Sequence, residues 1–214
     1  LYMKGDFSGG YGNSGIFVDA ILEFVSAMKA VDPTIKVGAI GGLNYGRYHL
    51  VNYDNWNDIL LGKAASKIDF LSVHNAYAPV VIGVEANIAP KEVYRAMLAA
   101  PVLIQKNLGD LARQLKKYES PGHPIQIAVT EWGPFFHVSP ESPWIDHIKT
   151  LGSALFVGST LNAFLRTPRL EIATFFKLTD HGFMGWIGNR GNKFVPTAPY
   201  MAFLLYRRNF GSEL

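Results

Sequence analysis

The segment Ile125-Gln126-Ile127-Ala128-Val129-Thr130-Glu131-Trp132-Gly133 carries an apolar, β-branched run straight into a carboxylate. A charged side chain at the mouth of a buried strand loses solvation unless water, a partner or a substrate meets it. Glu131 therefore reads either as a strand-end carboxylate that has reached solvent or as a reactive group. Its neighbours favour the second reading. Trp132 offers a flat apolar surface, Gly133 lets another group approach the backbone, and Pro134 ends the strand. A carboxylate beside an aromatic platform suits a carbohydrate, whose ring faces are apolar and whose edges carry hydroxyls.

Other residues with chemical potential also follow apolar runs. His74 and Tyr77 close the segment His74-Asn75-Ala76-Tyr77, and Thr179-Asp180-His181 follows a later strand. His74 fits a substrate contact better than a backbone-satisfied interior histidine, because it stands at a strand end. Trp132 fits core packing as well as it fits a sugar platform. Trp186, in a glycine-rich loop, is the better platform candidate. Tyr45, Tyr48, Phe135 and Phe136 could line subsites or cover the rim of the fold, and His137 shares the loop after Glu131. Asp6, Asn13 and Asn44 are polar loop residues without an assigned role. Asp180 and His181, with His74 and Glu131, raise a metal-dependent hydrolase as a weaker alternative, since imidazole and carboxylate ligands bind zinc or manganese. No H-x-H or H-E-x-x-H spacing supports it, so no metal or other cofactor is expected.

These residues need elements to hold them. Apolar positions from Ile16 to Val31 repeat with helical spacing up to the stop at Asp32-Pro33. Ile35–Ile40 reads as a strand ending at Gly41-Gly42, and a helix follows from Asn55 to Ser66 with Asp54 as its cap. Ile68–Val73 is the second strand. The stretch Ala78–Ala100 reads as an elaborated loop with a short helix, and Pro101 opens a helix that continues to Tyr118. After the Glu131 strand, Ser142-Pro143 starts a helix running to Leu165. Ile172–Leu178 is a fourth strand, the glycine-rich segment through Trp186 is loop, and Ala198–Asn209 closes as an amphipathic helix.

Strands alternating with helices imply a parallel sheet with right-handed crossovers. The candidates are an open doubly wound sheet and a (β/α)8 barrel. No phosphate-binding glycine fingerprint follows any strand. The polar and aromatic residues cluster just after strand C-termini, where both architectures bind ligands. A complete barrel takes roughly 250 residues and eight strands, and only four strands are legible. The expected fold is α/β, the C-terminal half of a (β/α)8 TIM barrel (strands five to eight with their helices), so that 1–214 is a partial catalytic domain.

Composition narrows the partners. With 49% hydrophobic and 17% charged residues the chain can fill a core, which argues against disorder. Its net charge of +3 is scattered, with only pairs such as Lys116-Lys117 and Arg207-Arg208, so no nucleic-acid partner is indicated. No cysteine is present, which excludes disulfides and thiolate metal sites. No apolar run reaches membrane-spanning length, so no membrane partner is expected either. The chain opens at Leu1 on what reads as mid-domain sequence, and its true N-terminus is expected elsewhere.

Three stretches then carry a resemblance. Leu1-Tyr2-Met3-Lys4-Gly5-Asp6 resembles the sequence just after the strand-four Gly-Asn-Glu motif of the α-L-arabinofuranosidases of glycoside hydrolase family 51. The block from Phe24 to Gly38, FVSAMKAVDPTIKVG, resembles their next helix and strand. Asp69-Phe70-Leu71-Ser72-Val73-His74 and Thr130-Glu131-Trp132-Gly133 resemble strands six and seven. The likeness covers essentially the whole chain, though each motif is short, and the strand-seven Glu is shared by the whole clan.

The resemblance implies a retaining glycosidase in which Glu131 is the nucleophile. The acid/base is then expected just upstream of Leu1, outside this sequence. His74 and Tyr77 fall where the family places substrate-contacting or nucleophile-positioning groups, although the family spacing is His-x-Tyr and here one more residue intervenes. Such enzymes need two carboxyl groups about 5 Å apart. Glu131 must stay ionised to attack, and Tyr77 or His74 could supply hydrogen-bond donors to its carboxylate. The substrate expected is an arabinofuranoside of a plant-type polysaccharide or oligosaccharide. The alternative is a non-catalytic carbohydrate-binding or structural barrel, which a residue other than Glu just before Leu1 would favour. The 214 residues alone are expected to be inactive, and the open sheet edges of a half barrel favour self-association into a homo-oligomer.

Overall fold

The computed structural model describes residues 14–42, 55–74, 76–77, 81–82, 89–134, 137–138, 150–180, 185–191 and 193–210. Its elements in chain order are α1 (Ser14–Val31), β1 (Gly38–Ile40), α2 (Trp56–Ala64), β2 (Phe70–Val73), β3 (Ala76–Tyr77), β4 (Val81–Ile82), α3 (Pro90–Lys116) and β5 (Gln126–Gly133). Then come β6 (His137–Val138), α4 (Leu151–Leu165), β7 (Leu170–Phe175), β8 (Thr179–Asp180), β9 (Ile187–Arg190), β10 (Lys193–Pro196) and α5 (Ala198–Asn209). The fold is α/β, with β1, β2, β5 and β7 as its main parallel strands. β7 follows β5 in the same direction: the Ile127 N–H donates to the Arg169 carbonyl, and the Phe176 N–H to the Trp132 carbonyl. The chain divides into two compact units, and α3, β5 and β7 contribute residues to both.

The first unit contains α1, β1, α2, β2, the end of α3 from Asn107, the start of β5 through Thr130, and residues 168–172. α1 buries Val18 and Val25. It stops where expected, because the Asp32 carboxylate accepts from both the N–H and the hydroxyl of Thr34 and turns the chain before another helical turn can form. β1 pairs with β2 and β2 with β5, all parallel. Leu71, Val73, Ile127 and Val129 are buried, while Ser72 and His74 are half-buried and Thr130 is exposed. Parallel sheets are ordinarily covered on both faces. Here the Ser72 and Thr130 side reaches solvent.

α2 starts at Trp56, with Asn55 in the left-handed region (φ 66°) at the cap position and no side-chain cap bond. Asp54, expected to cap it, lies outside the described residues. Trp56 and Asn57 clamp the exit of β1 instead. The Trp56 indole N–H donates to the Ile40 carbonyl at 2.9 Å, and the Asn57 side-chain oxygen accepts from the Gly42 N–H at 2.8 Å. Asn57 in turn donates to Gln114, and Gln114 and Tyr118 donate to Asp58. The Tyr118 hydroxyl, with Gln114, holds the Asp58 carboxyl below its usual range.

α3 corrects the sequence reading. A helix was expected to open at Pro101, yet one helix runs from Pro90 to Lys116 with Pro101 inside it. Met97, Ala100, Ile104, Leu108, Leu111 and Leu115 are all buried, at steps of three and four residues that pass straight through the proline. Each large side chain in that stripe is worth about 1.5–3 kcal/mol when buried. Together they outweigh the roughly 3 kcal/mol that an interior proline costs.

The second unit contains β3, β4, the start of α3, β5 from Glu131, β6, α4, β7 from Ala173, β8–β10 and α5. The pairs Phe70 with Gln126, Ala76 with Trp132 and Val81 with His137 are all 56 residues apart, so one parallel register is kept across three short pairings. α4 begins at Leu151, capped by Thr150, whose hydroxyl accepts from the Ser153 N–H. The Ser142-Pro143 start expected from sequence lies outside the described residues. α4 packs on α5, where the Tyr206 hydroxyl donates to the Gly158 carbonyl at 2.7 Å. α5 has the bounds the sequence suggested. The hairpin of β9 and β10 was not anticipated. Its register pairs Arg190 with Lys193, and Gly191 follows β9 at φ 64°.

Candidate active site

Glu131 lies in β5, two residues before the strand ends at Gly133, and is half-buried. The burial pattern of the strand changes there. Ile127, Ala128 and Val129 are buried, Thr130 is exposed, and Trp132 and Gly133 are buried again. The hydroxyl of Thr130, the residue peptide-bonded to Glu131, sits 2.6 Å from Ser72 Oγ and 3.1 Å from His74 Nε2. His74 follows directly on β2, as the sequence suggested, and its ring is tied to the strand that leads into Glu131.

Trp132 takes the core alternative rather than the platform one. It is 0% exposed, with its ring edge-on to Phe164 (4.9 Å) and Phe175 (5.2 Å) and tilted against Phe203 (5.7 Å). A ring enclosed in this way has no face for a sugar. The reason lies in the neighbours: Phe164, Phe175 and Phe203 are far apart in sequence and close around it only when α4, β7 and α5 assemble. Gly133 likewise serves the chain's own packing, since a Cβ there would lie 3.0 Å from the Phe176 carbonyl.

Trp186 borders the same aromatic cluster, stacked on Phe175 (5.7 Å, 29°) and against Phe203 (4.2 Å, 68°), and stays half-buried. Its main chain is fixed by Thr197, whose N–H donates to the Trp186 carbonyl at 2.9 Å and whose hydroxyl lies 2.7 Å from that oxygen. Tyr77 pairs with Gly133 in the sheet, but its side chain lies outside the described residues. So do the Asp180 side chain and His181, Tyr45, Tyr48, Phe135, Phe136 and the His137 side chain, together with Asp6, Asn13 and Asn44. Among the described residues no group of three or more His, Cys, Asp or Glu could hold a metal ion. No helix among them is long and apolar enough to cross a membrane.

Sequence reasoning assigned no role to Ser72 and Thr130. The signal was present, because Ser72 stands two residues before His74 and so shares its face of the strand. Away from this end, Asp69 precedes β2 and joins α1 to β1 by accepting from Lys29 Nζ and the Val37 N–H, each at 2.8 Å. Burial alone would raise its pKa, but these two donors bring it below the ordinary carboxylate value. A carboxylate at the N-terminal end of a strand supports the fold rather than the chemistry.

No family model matches the chain. The intracellular exo-α-(1→5)-L-arabinofuranosidase 1 of Bacillus subtilis (strain 168) is 24% identical, over 83% of this chain and 36% of that protein. The chain is similar to arabinofuranosidases. Among solved structures, the family 51 arabinofuranosidase of Xanthomonas axonopodis pv. citri superposes with a TM-score of 0.69 at 16% identity, over 91% of this chain and 39% of that one. A family 51 α-L-arabinofuranosidase of Bifidobacterium longum gives 0.68 at 18%, over 91% and 40%. A monomeric β-xylosidase of Caulobacter crescentus CB15 gives 0.63 at 14%, over 93% and 38%. The chain therefore spans well under half the length of the relatives it matches, and its motifs and fold agree on a glycoside hydrolase likeness.

Proposed function

We propose that this chain is the nucleophile-bearing part of a retaining glycoside hydrolase that releases α-L-arabinofuranosyl residues from plant-type polysaccharides or oligosaccharides. In this reading residues 1–214 are the C-terminal half of a (β/α)8 barrel, and the strands of the other half complete it. The observation that carries the proposal is the position of Glu131. It is a half-buried carboxylate near the C-terminal end of a parallel strand, directly after a hydroxyl bonded to His74. The similarity to arabinofuranosidases supports that choice of substrate class.

The Glu131 carboxylate attacks the anomeric carbon as the glycosidic bond breaks, and a second carboxyl group from a preceding segment protonates the departing oxygen. A covalent glycosyl ester forms on Glu131. The second carboxylate then takes a proton from water, which attacks the same carbon, releases the sugar with retained configuration and restores Glu131. His74, Tyr77 and Trp186 contact the sugar, the first two through hydroxyl hydrogen bonds and the indole through an apolar ring face.

The test is turnover of 4-nitrophenyl α-L-arabinofuranoside by the full-length protein. Glu131→Gln should lower kcat by four or more orders of magnitude, a loss on the scale of deleting a covalent nucleophile. Glu131→Gly with added azide should form the β-configured glycosyl azide. A Glu131→Gln variant with a tenth or more of the wild-type rate defeats the proposal.

A further inference from the structure

The β9–β10 hairpin forms a three-stranded sheet with β8, apart from the strands of the main sheet. It is fastened to the chain that leaves β7. The Phe176 N–H donates to the Trp132 carbonyl, the Trp186 N–H to the Lys177 carbonyl at 2.9 Å and the Ile187 N–H to the Leu178 carbonyl at 3.0 Å. The ribbon therefore rises from the strand end near which β5 carries Glu131. Its register pairs Gly188 with Val195 and Arg190 with Lys193, and the Thr197 N–H bond to the Trp186 carbonyl continues it by one pair. Side chains alternate between the two faces of a strand, so Trp186, Gly188, Val195, Lys193 and Thr197 share one face of the ribbon. A Cβ built on Gly188 would lie 3.9 Å from the Thr197 methyl, in keeping with that assignment. Phe194 falls on the opposite face.

The packing of the described residues gives Gly188 no reason to lack a side chain. Gly133 is closed off by the Phe176 carbonyl, and Gly191 stands at φ 64°. Gly188 has no positive φ, and among the described residues only the Val195 carbonyl, at 3.6 Å, and the Thr197 methyl come within 4 Å of its Cβ position. A glycine inside a strand weakens it and often marks a place where a ligand or another backbone comes close. Around it Val195 is 50% exposed, Lys193 is exposed and Trp186 is half-buried. From Trp186 to the Arg190–Lys193 pair the strand advances about 13 Å, longer than one sugar ring. The face runs from an indole, past bare backbone flanked by valine, to an ammonium with its donors. Apolar ring faces and hydroxyl edges are met in turn. We propose that this face is an aglycone subsite, along which the leaving part of an arabino-oligosaccharide or polysaccharide lies while its terminal sugar is at Glu131. The proposal rests on the glycosidase reading given above and narrows its substrate to chains of several sugars. In that reading the missing strands join the main sheet beside β1 and β7 and add none to this ribbon.

The experiment uses the full-length protein with a linear arabinofuranose disaccharide and the corresponding hexasaccharide. Wild-type kcat/KM should be higher for the hexasaccharide. Gly188→Val fills the lane and should lower kcat/KM for the hexasaccharide about 10-fold relative to the disaccharide, the scale on which a pocket senses added methyl-sized groups. Lys193→Ala should move the same ratio in the same direction by less. Hexasaccharide binding is read separately by calorimetry on the Glu131→Gln protein, where adding Gly188→Val should weaken it by a similar factor. Gly188→Ala should melt no lower than wild type, since its Cβ meets only ordinary contacts. A fall in its Tm would put a segment of the chain itself on this face and overturn the proposal. Should Gly188→Val fail to fold, Lys193→Ala carries the comparison. A protein that turns over both substrates with an unchanged ratio keeps the glycosidase reading and loses the subsite. One that turns over neither, yet loses hexasaccharide affinity with Gly188→Val, upholds the glycan-binding face and defeats the glycosidase reading. One that neither binds nor turns over the hexasaccharide overturns both.

Discussion

Replacing Asp69 by Asn tests how the first unit is fastened. Asp69 Oδ2 takes one charged donor, Lys29 Nζ, and one backbone donor, the Val37 N–H, each at 2.8 Å. Hydrogen bonds to a charged group contribute about 1.5–3 kcal/mol. The Lys29 and Asp69 side chains are 30% and 22% exposed, so solvent screens part of that gain. Asn keeps one acceptor for Val37 and loses the charge. The expected cost is about 1–2 kcal/mol, which for a protein of this size lowers Tm by roughly 2–8 °C.

The pH dependence separates this account from a packing defect. Burial pushes the Asp69 carboxyl up, and Lys29 and the Val37 N–H more than reverse it, so its folded pKa lies below the unfolded one. The charge-dependent stability is then present above the unfolded value of about 3.9 and disappears as the pH falls through the folded value. Urea denaturation of both proteins from pH 7 down to pH 3 should show a constant difference near neutrality that shrinks at the acid end. A difference that stays flat over the whole range, or an Asp69→Asn variant as stable as wild type at pH 7, refutes the reasoning.

Trp132→Ala should cost about 3–5 kcal/mol in urea denaturation, as expected for a fully buried aromatic. Trp132→Phe should cost less than half as much, since it keeps a ring among Phe164, Phe175 and Phe203 and removes an indole N–H that has no partner among the described residues. Asn57→Ala should destabilise by about 1–3 kcal/mol, because it strips the acceptor from the Gly42 N–H and leaves Gln114 without its donor. Hydrogen exchange should show the Gly42 amide losing protection. Gly191→Ala should cost about 1–2 kcal/mol by thermal unfolding, since φ 64° at the hairpin turn suits glycine and strains an L side chain.

Much of the fold was legible because it follows from local chemistry. Asp32-Pro33 stops α1 through a side-chain turn, Ala198 to Asn209 form α5, and His74 and Glu131 stand at or near the ends of parallel strands. What was not legible depends on partners remote in sequence. Pro101 reads as a helix start by its own preference, and only the buried stripe from Met97 to Leu115 shows that packing overrides it. Trp132 could be read as a sugar platform because the three phenylalanines that enclose it come from α4, β7 and α5. Gly133 reads as a place where another group approaches the backbone, and only the assembled fold shows that this group is the Phe176 carbonyl. Ser72 and Thr130 were visible as residues, but their pairing appears only once β2 and β5 are in register. The hairpin of β9 and β10, with Gly191 at positive φ, was a missed local signal.

The most direct measurement is the mass of a trapped intermediate. Full-length protein is treated with an activated arabinofuranoside whose glycosyl ester hydrolyses slowly, then digested and sequenced by mass spectrometry. The account predicts a single pentosyl adduct on the peptide containing Thr130-Glu131-Trp132, localised to Glu131, in a protein that has stopped turning over substrate. An adduct on another carboxylate, with Glu131 unmodified in the inactivated protein, contradicts it.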